Sequence, residues 1–303
     1  MTAADVVVVV NPRAGRSRAM RQLPLLQHLL TQMSQQTGFR WRLLQSEYPG
    51  HAAELARQAA QQGASIVVAA GGDGTCGEVA GGILNTGARL GILPLGTGND
   101  FARCVGIADK LPAAVENLLA GKPRPVDLGL VENSAGRRYF LNIAGCGFDA
   151  AVAQRVNRGY RLLHGTAAYV AAVLQTILTF RPALLRVHLD VQTVQHRALL
   201  CSVANAQYYG GGMRIAPLAQ IDDGWLDVCL VRAVPKVEFV RMFPRVFSGT
   251  HIHHPHFLMY RARRVYVEST PAVPVLVDGD VMGTTPVRFE VQPGAIEAIL
   301  PAK

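Results

Sequence analysis

The first 120 residues alternate short apolar runs with amphipathic segments. Apolar runs near 5–10, 39–45, 65–70 and 90–93 predict strands, and the segments near 17–36, 51–62, 76–86, 98–105 and 110–120 predict helices. Apolar strands that alternate with helices are typical of a parallel sheet with helices on both faces. We therefore predict an N-terminal doubly wound parallel-sheet α/β domain over residues 1–125, with 121–125 as a helix stop and linker.

The pattern changes after residue 125. Short apolar runs at 137–143, 184–191, 196–205, 226–232, 263–268, 274–277 and 286–291 are mostly joined by turns, and one helical insert covers about 149–180. Such a pattern favours a mainly antiparallel sheet. We predict a second domain over residues 126–303, whose tail, residues 292–303, is apolar enough to return to the first domain as a further strand.

A glycine-rich turn follows the third predicted strand. Gly71-Gly72-Asp73-Gly74-Thr75 comes directly after the apolar run Val67–Ala70. Glycines let a ligand approach the backbone, and the N-terminus of the next helix also favours negative charge. A carboxylate in an anion site is repulsive unless a cation lies between, so Asp73 implies Mg²⁺. The alternative interpretation is a tight strand-to-helix turn with a solvated Asp.

Two more loops follow apolar strands in the same way. Asn11–Arg16 comes after the first strand, and Gly96–Arg103 comes after the strand that ends near Leu95. In an open parallel sheet such loops collect at the carboxyl ends of the strands, where ligands bind. Their Gly, Thr, Asn, Asp and Arg side chains suit a nucleoside triphosphate with Mg²⁺. Neither the Lys-bearing phosphate loop nor the dinucleotide fingerprint is present in these loops.

The ordered motifs resemble the diacylglycerol kinase catalytic family, which includes bacterial lipid kinases, sphingosine kinases and ceramide kinases. The segments that carry the resemblance are 11–15, 71–75, 94–102, 126–129, 142–149, 215–217, 221–227 and 277–280. They cover essentially the whole chain. The resemblance implies a nucleotide domain followed by a β-sandwich, with the active site in the cleft between them, and it implies ATP and Mg²⁺ as cofactors.

The resemblance also implies which residues contact the nucleotide. They are Asn11, Arg13, Gly15, Arg16, Ser46, Gly72, Asp73, Gly74, Thr75, Glu78, Thr97, Asn99 and Asp100. Ser46 stands where the family usually has Thr. Gly77 stands where the family usually has Asn, and this change alters a possible hydrogen bond to the nucleotide.

Metal positions are implied at two further places. Asp127 matches an acid in the family's Asp–water–Mg²⁺ network. Gln220, Asp223 and Trp225 match a structural Mg²⁺ site, with the Asp side chain and two backbone carbonyls as oxygen ligands. The alternatives are a turn cap at Asp127 and a metal-free Asp-Gly turn at Asp223.

The general base is expected on a hairpin near the end of the chain. The apolar run Val273–Val277 leads into Asp278-Gly279-Asp280. The family motif ends in Glu, usually assigned as the proton acceptor, and the shorter Asp280 stands there. Asp278 is then expected beside the transferred phosphate and the metal. A general base acts within about 3 Å or through one water, so a shorter base can still work. A structural turn, or weaker activity, is the alternative.

Composition limits the class of protein. Half of the 303 residues are hydrophobic and 17% are charged, which excludes a disordered chain. The five cysteines are scattered without C-x-x-C pairs and fit a reducing compartment. The N-terminus does not read as a signal peptide, and the longest apolar helical stretch, 166–180, is shorter than the roughly 20 residues of a membrane span. We predict a cytoplasmic protein, peripheral at the inner face of the membrane.

A basic segment suggests how the chain reaches a membrane. The formal net charge is +9, and residues 232–264 carry seven Lys and Arg against one acid, with four histidines. Beside exposed Phe243, Phe247 and Phe257, this segment is predicted to contact an anionic membrane surface. A solvated basic surface is the alternative. Nucleic acid is not predicted because no binding motif is recognisable. The histidines are predicted to form a loop or surface patch and not a zinc site.

These observations predict an ATP- and Mg²⁺-dependent lipid kinase that transfers the γ-phosphoryl group to a lipid hydroxyl, with diacylglycerol as the default substrate. Sphingoid bases, ceramide and phosphatidylglycerol stay open. NAD kinase shares Gly-Gly-Asp-Gly-Thr, but residues 94–101 and Asp278–Asp280 disfavour it. A non-catalytic lipid- or membrane-binding protein of the same fold is the second alternative, because of Gly77 and Asp280. The sequence leaves the oligomeric state open, a homodimer included.

Overall fold

The protein forms two compact units. The computed structural model describes residues 5–157 and 165–302, and the side chains of residues 5, 157 and 165–169 lie outside the description. The N-terminal unit comprises Met1–Leu128 together with Pro293–Lys303, and the C-terminal unit comprises Gly129–Gln292. The last segment of the chain thus belongs to the first unit.

Strands and helices alternate along the N-terminal unit. They are β1 (Asp5–Val10), α1 (Arg18–Thr37), β2 (Arg40–Gln45), α2 (His51–Gln61), β3 (Ile66–Gly71), α3 (Asp73–Gly82), β4 (Arg89–Pro94), α4 (Asp100–Cys104) and α5 (Leu111–Ala120). The strands run parallel in the order β2-β1-β3-β4. Side chains Val7–Val10, Val67–Ala70 and Ile92 are almost fully buried. Burial on both faces explains why these strands are continuously apolar.

The C-terminal unit is mainly antiparallel. Its elements are β5 (Lys122–Asn133, which starts in the first unit), β6 (Gly136–Phe140), β7 (Ile143–Gly147), α6 (Phe148–Asn157), α7 (Gly165–Thr179), β8 (Ala183–His188), β9 (Thr193–Ala204), β10 (Leu226–Arg232), α8 (Lys236–Met242), α9 (Arg245–Ser248), a 3₁₀ turn (Thr250–His253), β11 (Phe257–Ala262), β12 (Arg264–Thr270), β13 (Pro274–Val277), β14 (Asp280–Thr284) and β15 (Val287–Leu300).

Antiparallel pairing links these strands in the order β14-β13-β7-β9-β8-β12-β15, and β10 joins β9 to β11. Valine and leucine side chains from most of these strands form one core that surrounds Phe140 and Phe289, both fully buried. The fold class predicted from the sequence, a parallel-sheet α/β domain followed by a mainly antiparallel β-sandwich domain, is confirmed.

The last strand changes partner along its length. Residues Val287–Glu290 of β15 pair with β12, and Ala298 pairs in parallel with Leu90 of β4. Within the N-terminal unit, Glu297 forms an ion pair of 3.0 Å with Arg89, and the carbonyl of Ile299 accepts a hydrogen bond from the Asn117 amide. The tail therefore closes the parallel sheet beyond β4.

The structure corrects two local expectations. Residues 121–125 are not a linker, because β5 already begins at Lys122; proline is tolerated at the start of a strand, where its missing N–H leaves no ladder bond unmade. Helix α3 begins at Asp73, three residues earlier than expected, because Gly72 takes the extended N-cap conformation inside the glycine turn. Residues 158–164 of the expected helical insert lie outside the described residues.

None of the helices within residues 5–157 and 165–302 is both long and apolar enough to span a bilayer.

Candidate active site

The three predicted loops meet at the carboxyl ends of β1, β3 and β4. We call residues 11–16 the first loop, 71–75 the glycine loop and 95–100 the third loop. The Asn11 amide donates a hydrogen bond to the Thr75 hydroxyl over 3.1 Å, which joins the first loop to the glycine loop. Gly15 has φ +57°, and a Cβ there would lie 2.4 Å from the Leu95 carbonyl oxygen. The first loop therefore packs against both of the others.

The glycine loop and the third loop pass each other at backbone contact distance. A Cβ on Gly96 would lie 2.4 Å from the Gly72 Cα and 2.8 Å from the Asn99 Oδ1. The Phe101 N–H donates to Asp73 Oδ1 over 2.8 Å. Because a side chain at Gly96 would overlap the Gly72 backbone, the two loops meet backbone to backbone beside the N-terminus of α3. A helix N-terminus next to bare glycine backbone is suited to phosphate.

Two carboxylates border this surface. A Cβ on Gly98 would lie 2.9 Å from Asp100 Oδ2 and 3.3 Å from Asp73 Oδ2. Burial raises the pKa of Asp73, against the opposite effect of amide hydrogen bonds from Phe101 and Asp100 and of the nearby Arg103 charge. Arg103 forms an ion pair with Asp100. A cation would relieve the crowded negative charge, and Mg²⁺ is commonly held by one or two carboxylates together with substrate phosphates. These residues fit that arrangement.

Other residues of the predicted nucleotide site differ in how freely they could reach a ligand. Arg13, Arg16 and Thr97 are exposed at the rim of the loops. The Asn99 side chain is buried and holds the third loop: its oxygen accepts the Gly96 N–H over 2.9 Å, and its amide donates to Asp109 over 2.9 Å. Direct contact between Asn99 and the nucleotide stays a prediction.

Ser46 and Glu78 stabilise the segment between β2 and α2. The Ser46 N–H donates to the Val10 carbonyl over 2.9 Å, and Glu78 Oε1 accepts the Gly50 N–H over 2.9 Å. Asp127 is buried, and its Oδ1 accepts the Gly294 N–H over 2.6 Å. That bond ties β5 to the tail, and the proposed part of Asp127 in a Mg²⁺ network stays a prediction.

The Asp278–Asp280 segment forms the expected hairpin turn: Asp278 and Gly279 are the two turn residues between β13 and β14, and Asp280 is the first residue of β14. Asp278 and Gly279 have φ +44° and +95°, as a type I′ turn requires. The Asp278 carboxylate accepts three backbone N–H groups, from Leu141, Asn142 and Ile143, over 3.0, 3.1 and 3.0 Å. It thereby fixes the hairpin to the start of β7. Asp280 is exposed and forms an ion pair of 3.2 Å with Arg138, a partner that the sequence did not indicate.

Asn142 is a second residue that sequence reasoning did not single out as a site residue. Its side chain is buried, and its Oδ1 has no hydrogen-bond partner among the residues that the structure describes. Its backbone lies against Asp278. A buried acceptor without a donor is costly, so this atom is suited to receive a hydrogen bond from a ligand. The position of Asn142 at the start of the family motif 142–149 was the available indication.

The C-terminal unit also contains an apolar cavity of about 570 Å³, counting its open side. It lies beneath α7, α8 and α9, and its lining includes Phe148, Val173, Met213, Ile215, Phe239 and Met242. Phe243 and Phe257, which we expected at a membrane surface, line this cavity instead. His251, expected in a surface patch, is fully buried, and its Nε2 lies 3.1 Å from the Ile215 carbonyl oxygen. These side chains turn inward because the segment folds into short helices over the apolar sheet face.

At the predicted structural Mg²⁺ site, the Arg261 guanidinium occupies the position of a cation. Asp223 Oδ1 accepts the Trp225 N–H over 3.1 Å, and Oδ2 is paired with the Arg261 guanidinium. Arg261 also lies 3.8 Å from the buried Asp227 and over the Trp225 ring. The side-chain oxygens of Asp223 are thus engaged, so this arrangement does not fit a divalent cation without displacing Arg261. The metal role of Gln220, Asp223 and Trp225 stays a prediction.

Within residues 5–157 and 165–302, no three His, Cys, Asp or Glu side chains come close enough together to hold a metal ion by themselves. A metal at the loops would therefore depend on oxygen ligands from the nucleotide.

Comparison with known proteins identifies the class to which these units belong. The diacylglycerol kinase catalytic domain family matches residues 5–131, and the YegS C-terminal NAD kinase beta sandwich-like domain matches residues 142–300. The chain is 33% identical to a diacylglycerol kinase of Mycobacterium tuberculosis over 253 residues, 82% of this chain and 81% of the relative. It is 29% identical to a diacylglycerol kinase of Bacillus subtilis over 285 residues, 93% and 91% of the two chains.

Solved structures show the same fold. A crystal structure of a diacylglycerol kinase from Bacillus anthracis covers 99% of this chain and 98% of its own, with a TM-score of 0.70 and 21% identity. A second structure from that organism gives a TM-score of 0.78 at 23% identity. Two domains of this kind define a phosphotransferase with an alcohol acceptor. The chain belongs to the diacylglycerol kinase family; it is a lipid kinase, and ATP is its substrate.

The contact between the two glycine-bearing loops generates a prediction. Gly96→Ala should destabilise the protein by about 1–3 kcal/mol, because the added methyl group overlaps the Gly72 backbone. Gly72→Ala is the matched control: its Cβ would lie 3.4 Å from the Gly96 Cα, an ordinary contact. Thermal unfolding of both variants without nucleotide measures the difference. Equal melting temperatures would contradict the packing described here.

Asp73→Asn should reduce turnover by more than about a hundredfold and raise the melting temperature of the nucleotide-free protein at pH 7. The raised pKa means that the folded state favours protonated Asp73, so the charged form costs stability as the pH rises from about 4, the ordinary Asp value. Asn retains the acceptor for the Phe101 N–H and removes the charge. Melting curves at pH 4 and pH 7, with turnover at saturating Mg²⁺, measure both effects. Near-wild-type turnover would exclude Asp73 from the site.

Proposed function

We propose that the protein transfers the γ-phosphoryl group of ATP to a lipid hydroxyl with Mg²⁺, and that diacylglycerol is the first acceptor to test, giving phosphatidic acid. The observation that carries the proposal is the meeting of three bare backbone loops around Asp73 and Asp100. Phosphoryl transfer requires mainly positioning and charge neutralisation, and this surface supplies amide donors, a helix N-terminus and two carboxylates for a phosphate-bound cation.

The remaining requirement is a group that takes the proton from the acceptor hydroxyl. We assign this role to Asp280, which is exposed on a turn that Asp278 locks to β7 through three amide hydrogen bonds. The ion pair with Arg138 keeps the Asp280 side chain oriented in the ligand-free protein. Asp278 supports this arrangement, and its contact with phosphate or metal belongs to the proposal.

An apolar cavity supports the choice of a lipid as acceptor. Pockets for small ligands are mostly apolar, with few polar groups. The lining of the cavity in the C-terminal unit has this character. NAD is polar and charged along most of its length. An apolar cavity is therefore a poor binding site for NAD as the phosphoryl acceptor. The alternative of a NAD kinase is therefore the weaker one.

The outer surface of the helices above the cavity supports docking to an anionic membrane. Leu178 on α7 and Val237 on α8 are 65% and 63% exposed, and Val240 and Phe247 are also exposed. The Lys236 ammonium donates to the Leu178 carbonyl over 2.6 Å, which holds the two helices together. Arg241 and Arg245 add positive charge. Apolar side chains combined with basic ones favour the boundary of an anionic bilayer. We propose a protein peripheral at the inner face of the membrane.

The decisive experiment incubates the purified protein with radiolabelled ATP and a panel of lipids in mixed micelles, with NAD as a control acceptor. The proposal expects label on a lipid, dependent on Mg²⁺ and absent in Asp73→Asn. Label on NAD alone would establish the NAD kinase alternative. No label on any acceptor, with intact lipid binding, would favour the non-catalytic alternative.

Asp280→Asn should lower kcat by roughly 10²–10⁴-fold with little change in ATP affinity, because it removes the basic carboxylate at constant size. Arg138→Met is the matched control: it removes the ion-pair partner and leaves the base, so its effect on kcat should be much smaller. Single-turnover kinetics isolate the chemical step. A loss under tenfold in Asp280→Asn would move the role of base to another group, with Asp278 next.

Vesicle sedimentation tests the proposed docking surface. Binding should rise with anionic lipid and fall with salt, since each Lys or Arg near such a surface contributes roughly 1 kcal/mol. Val237→Asp should weaken binding by about tenfold or more, because it places a charge on the apolar docking surface. Val191→Asp, at a side chain 94% exposed elsewhere in the same unit, is the matched control and should bind like the wild type. Vesicle binding that does not depend on salt or on lipid charge would contradict the proposal that this surface docks on an anionic membrane.

A further inference from the structure

One charged side chain interrupts the apolar cavity of the C-terminal unit. Asp149 lies in the first turn of α6 and lines the cavity, although only 1% of its surface is exposed. The other lining side chains that the structure describes are uncharged, and Tyr209 is the one among them with a hydroxyl. A carboxyl group in such a wall is unusual, because burying a charge is costly unless it is paired.

The protein satisfies this carboxyl group only in part. Oδ1 accepts the Ala150 N–H over 2.8 Å, and Oδ2 accepts the Ser202 hydroxyl over a long 3.3 Å. A carboxylate has about four acceptor positions, so capacity for a further donor is left. These contacts, together with a hydrogen bond from its own backbone N–H, hold the side chain in one orientation, with the hydroxyl of Ser202 coming from the neighbouring β9.

Among the residues that the structure describes, no cation balances the charge of Asp149. Its titratable neighbours are the thiols of Cys146, Cys201 and Cys229, and burial raises the pKa of all three, so they are neutral at pH 7. Burial also raises the pKa of Asp149 to about 6. At neutral pH the carboxyl is therefore mainly ionised, with no positive partner within residues 5–156 and 170–302. A ligand that brings a donor into the cavity would supply a hydrogen bond to this charge.

We propose that Asp149 binds a hydroxyl or ammonium donor carried by the buried part of the acceptor lipid. This inference rests on the proposed function, in which the cavity receives the acceptor. It favours acceptors with a second free donor, such as sphingoid bases, ceramides or monoacylglycerols. Below its free hydroxyl, diacylglycerol offers only ester oxygens, which a carboxylate repels. Asp149 is thus a specificity-determining residue that acts by direct contact.

Two lipids that differ by one donor test the proposal. A 1-alkylglycerol has a free 2-hydroxyl, and its 2-O-methyl ether lacks that donor at nearly equal size. The wild type should prefer the free hydroxyl by roughly ten- to a hundredfold in kcat/KM, as expected of a hydrogen bond to a charged group. Sphinganine, ceramide and dioleoylglycerol extend the comparison to the ammonium, the amide and the ester. A ratio near one would overturn the proposal.

Three variants separate contact from structure. Asp149→Leu should bring the ratio close to one, chiefly through a higher KM for the alkylglycerol, and Asp149→Asn should give an intermediate ratio because the amide oxygen still accepts. Leu185→Met, a volume-conserving change in the core of the same unit and outside the cavity lining, should leave the ratio unchanged. Thermal unfolding shows which variants are folded. An unchanged ratio in a folded Asp149→Leu would contradict the proposal.

Equilibrium binding keeps this test independent of catalysis. The two glycerol ethers are titrated into wild type and variants without ATP, and intrinsic fluorescence reports occupancy. If the wild type phosphorylates no lipid but binds the alkylglycerol more tightly than its methyl ether, and Asp149→Leu does not, the proposed function fails and the Asp149 site stands. The opposite result is that lipids are phosphorylated but neither the kcat/KM ratio nor the affinity ratio of the two glycerol ethers depends on Asp149. The kinase assignment then stands and this inference fails.

Discussion

The candidate nucleotide site depends on the backbone contact between Gly72 and Gly96. At this separation a side chain at Gly96 would overlap the Gly72 backbone, so the two loops meet backbone to backbone beside the N-terminus of α3. The same approach places the Phe101 N–H on Asp73 and brings the carboxylate of Asp100 beside it. The proposed phosphate surface and the proposed cation position are therefore consequences of one packing constraint. This packing constraint explains why position 96 is a glycine.

Carboxyl groups in this protein differ chiefly in their local environment. The Asp278 carboxylate accepts three backbone N–H groups and holds the hairpin against the start of β7. Asp73 and Asp149 are desolvated without full compensation, and burial raises both pKa values. A ligand stabilises such a group most when it supplies the missing partner. For Asp73 the proposed partner is a cation, and for Asp149 it is a hydrogen-bond donor. Asp280, the proposed proton acceptor, is instead exposed and paired with Arg138.

The helices above the apolar cavity have apolar residues on two sides. Phe239 and Met242 of α8 face the cavity, and Val237 and Val240 of the same short helix are exposed. A seven-residue helix gains little stability by itself, so its placement depends on this inner packing and on neighbours such as Leu178 of α7. Exposure of such an apolar surface to water is unfavourable, whereas its contact with a bilayer is favourable. The proposed membrane contact and the proposed lipid cavity thus share one structural element.

The sequence by itself determined the two-part fold, the three nucleotide loops and the hairpin of the candidate base. Alternation of apolar and polar residues reports burial directly, and glycine-rich turns report backbone conformation, so both can be read locally. It did not predict that β5 begins at Lys122, that Phe257 and His251 turn inward, or that Arg138 and Arg261 pair with Asp280 and Asp223. Some of these features are contacts between residues more than 30 positions apart in the sequence. Others depend on which side of a short helix packs against the sheet. Only the tertiary structure decides them, because long-range contacts, desolvation and charge pairing leave no periodic trace in the chain.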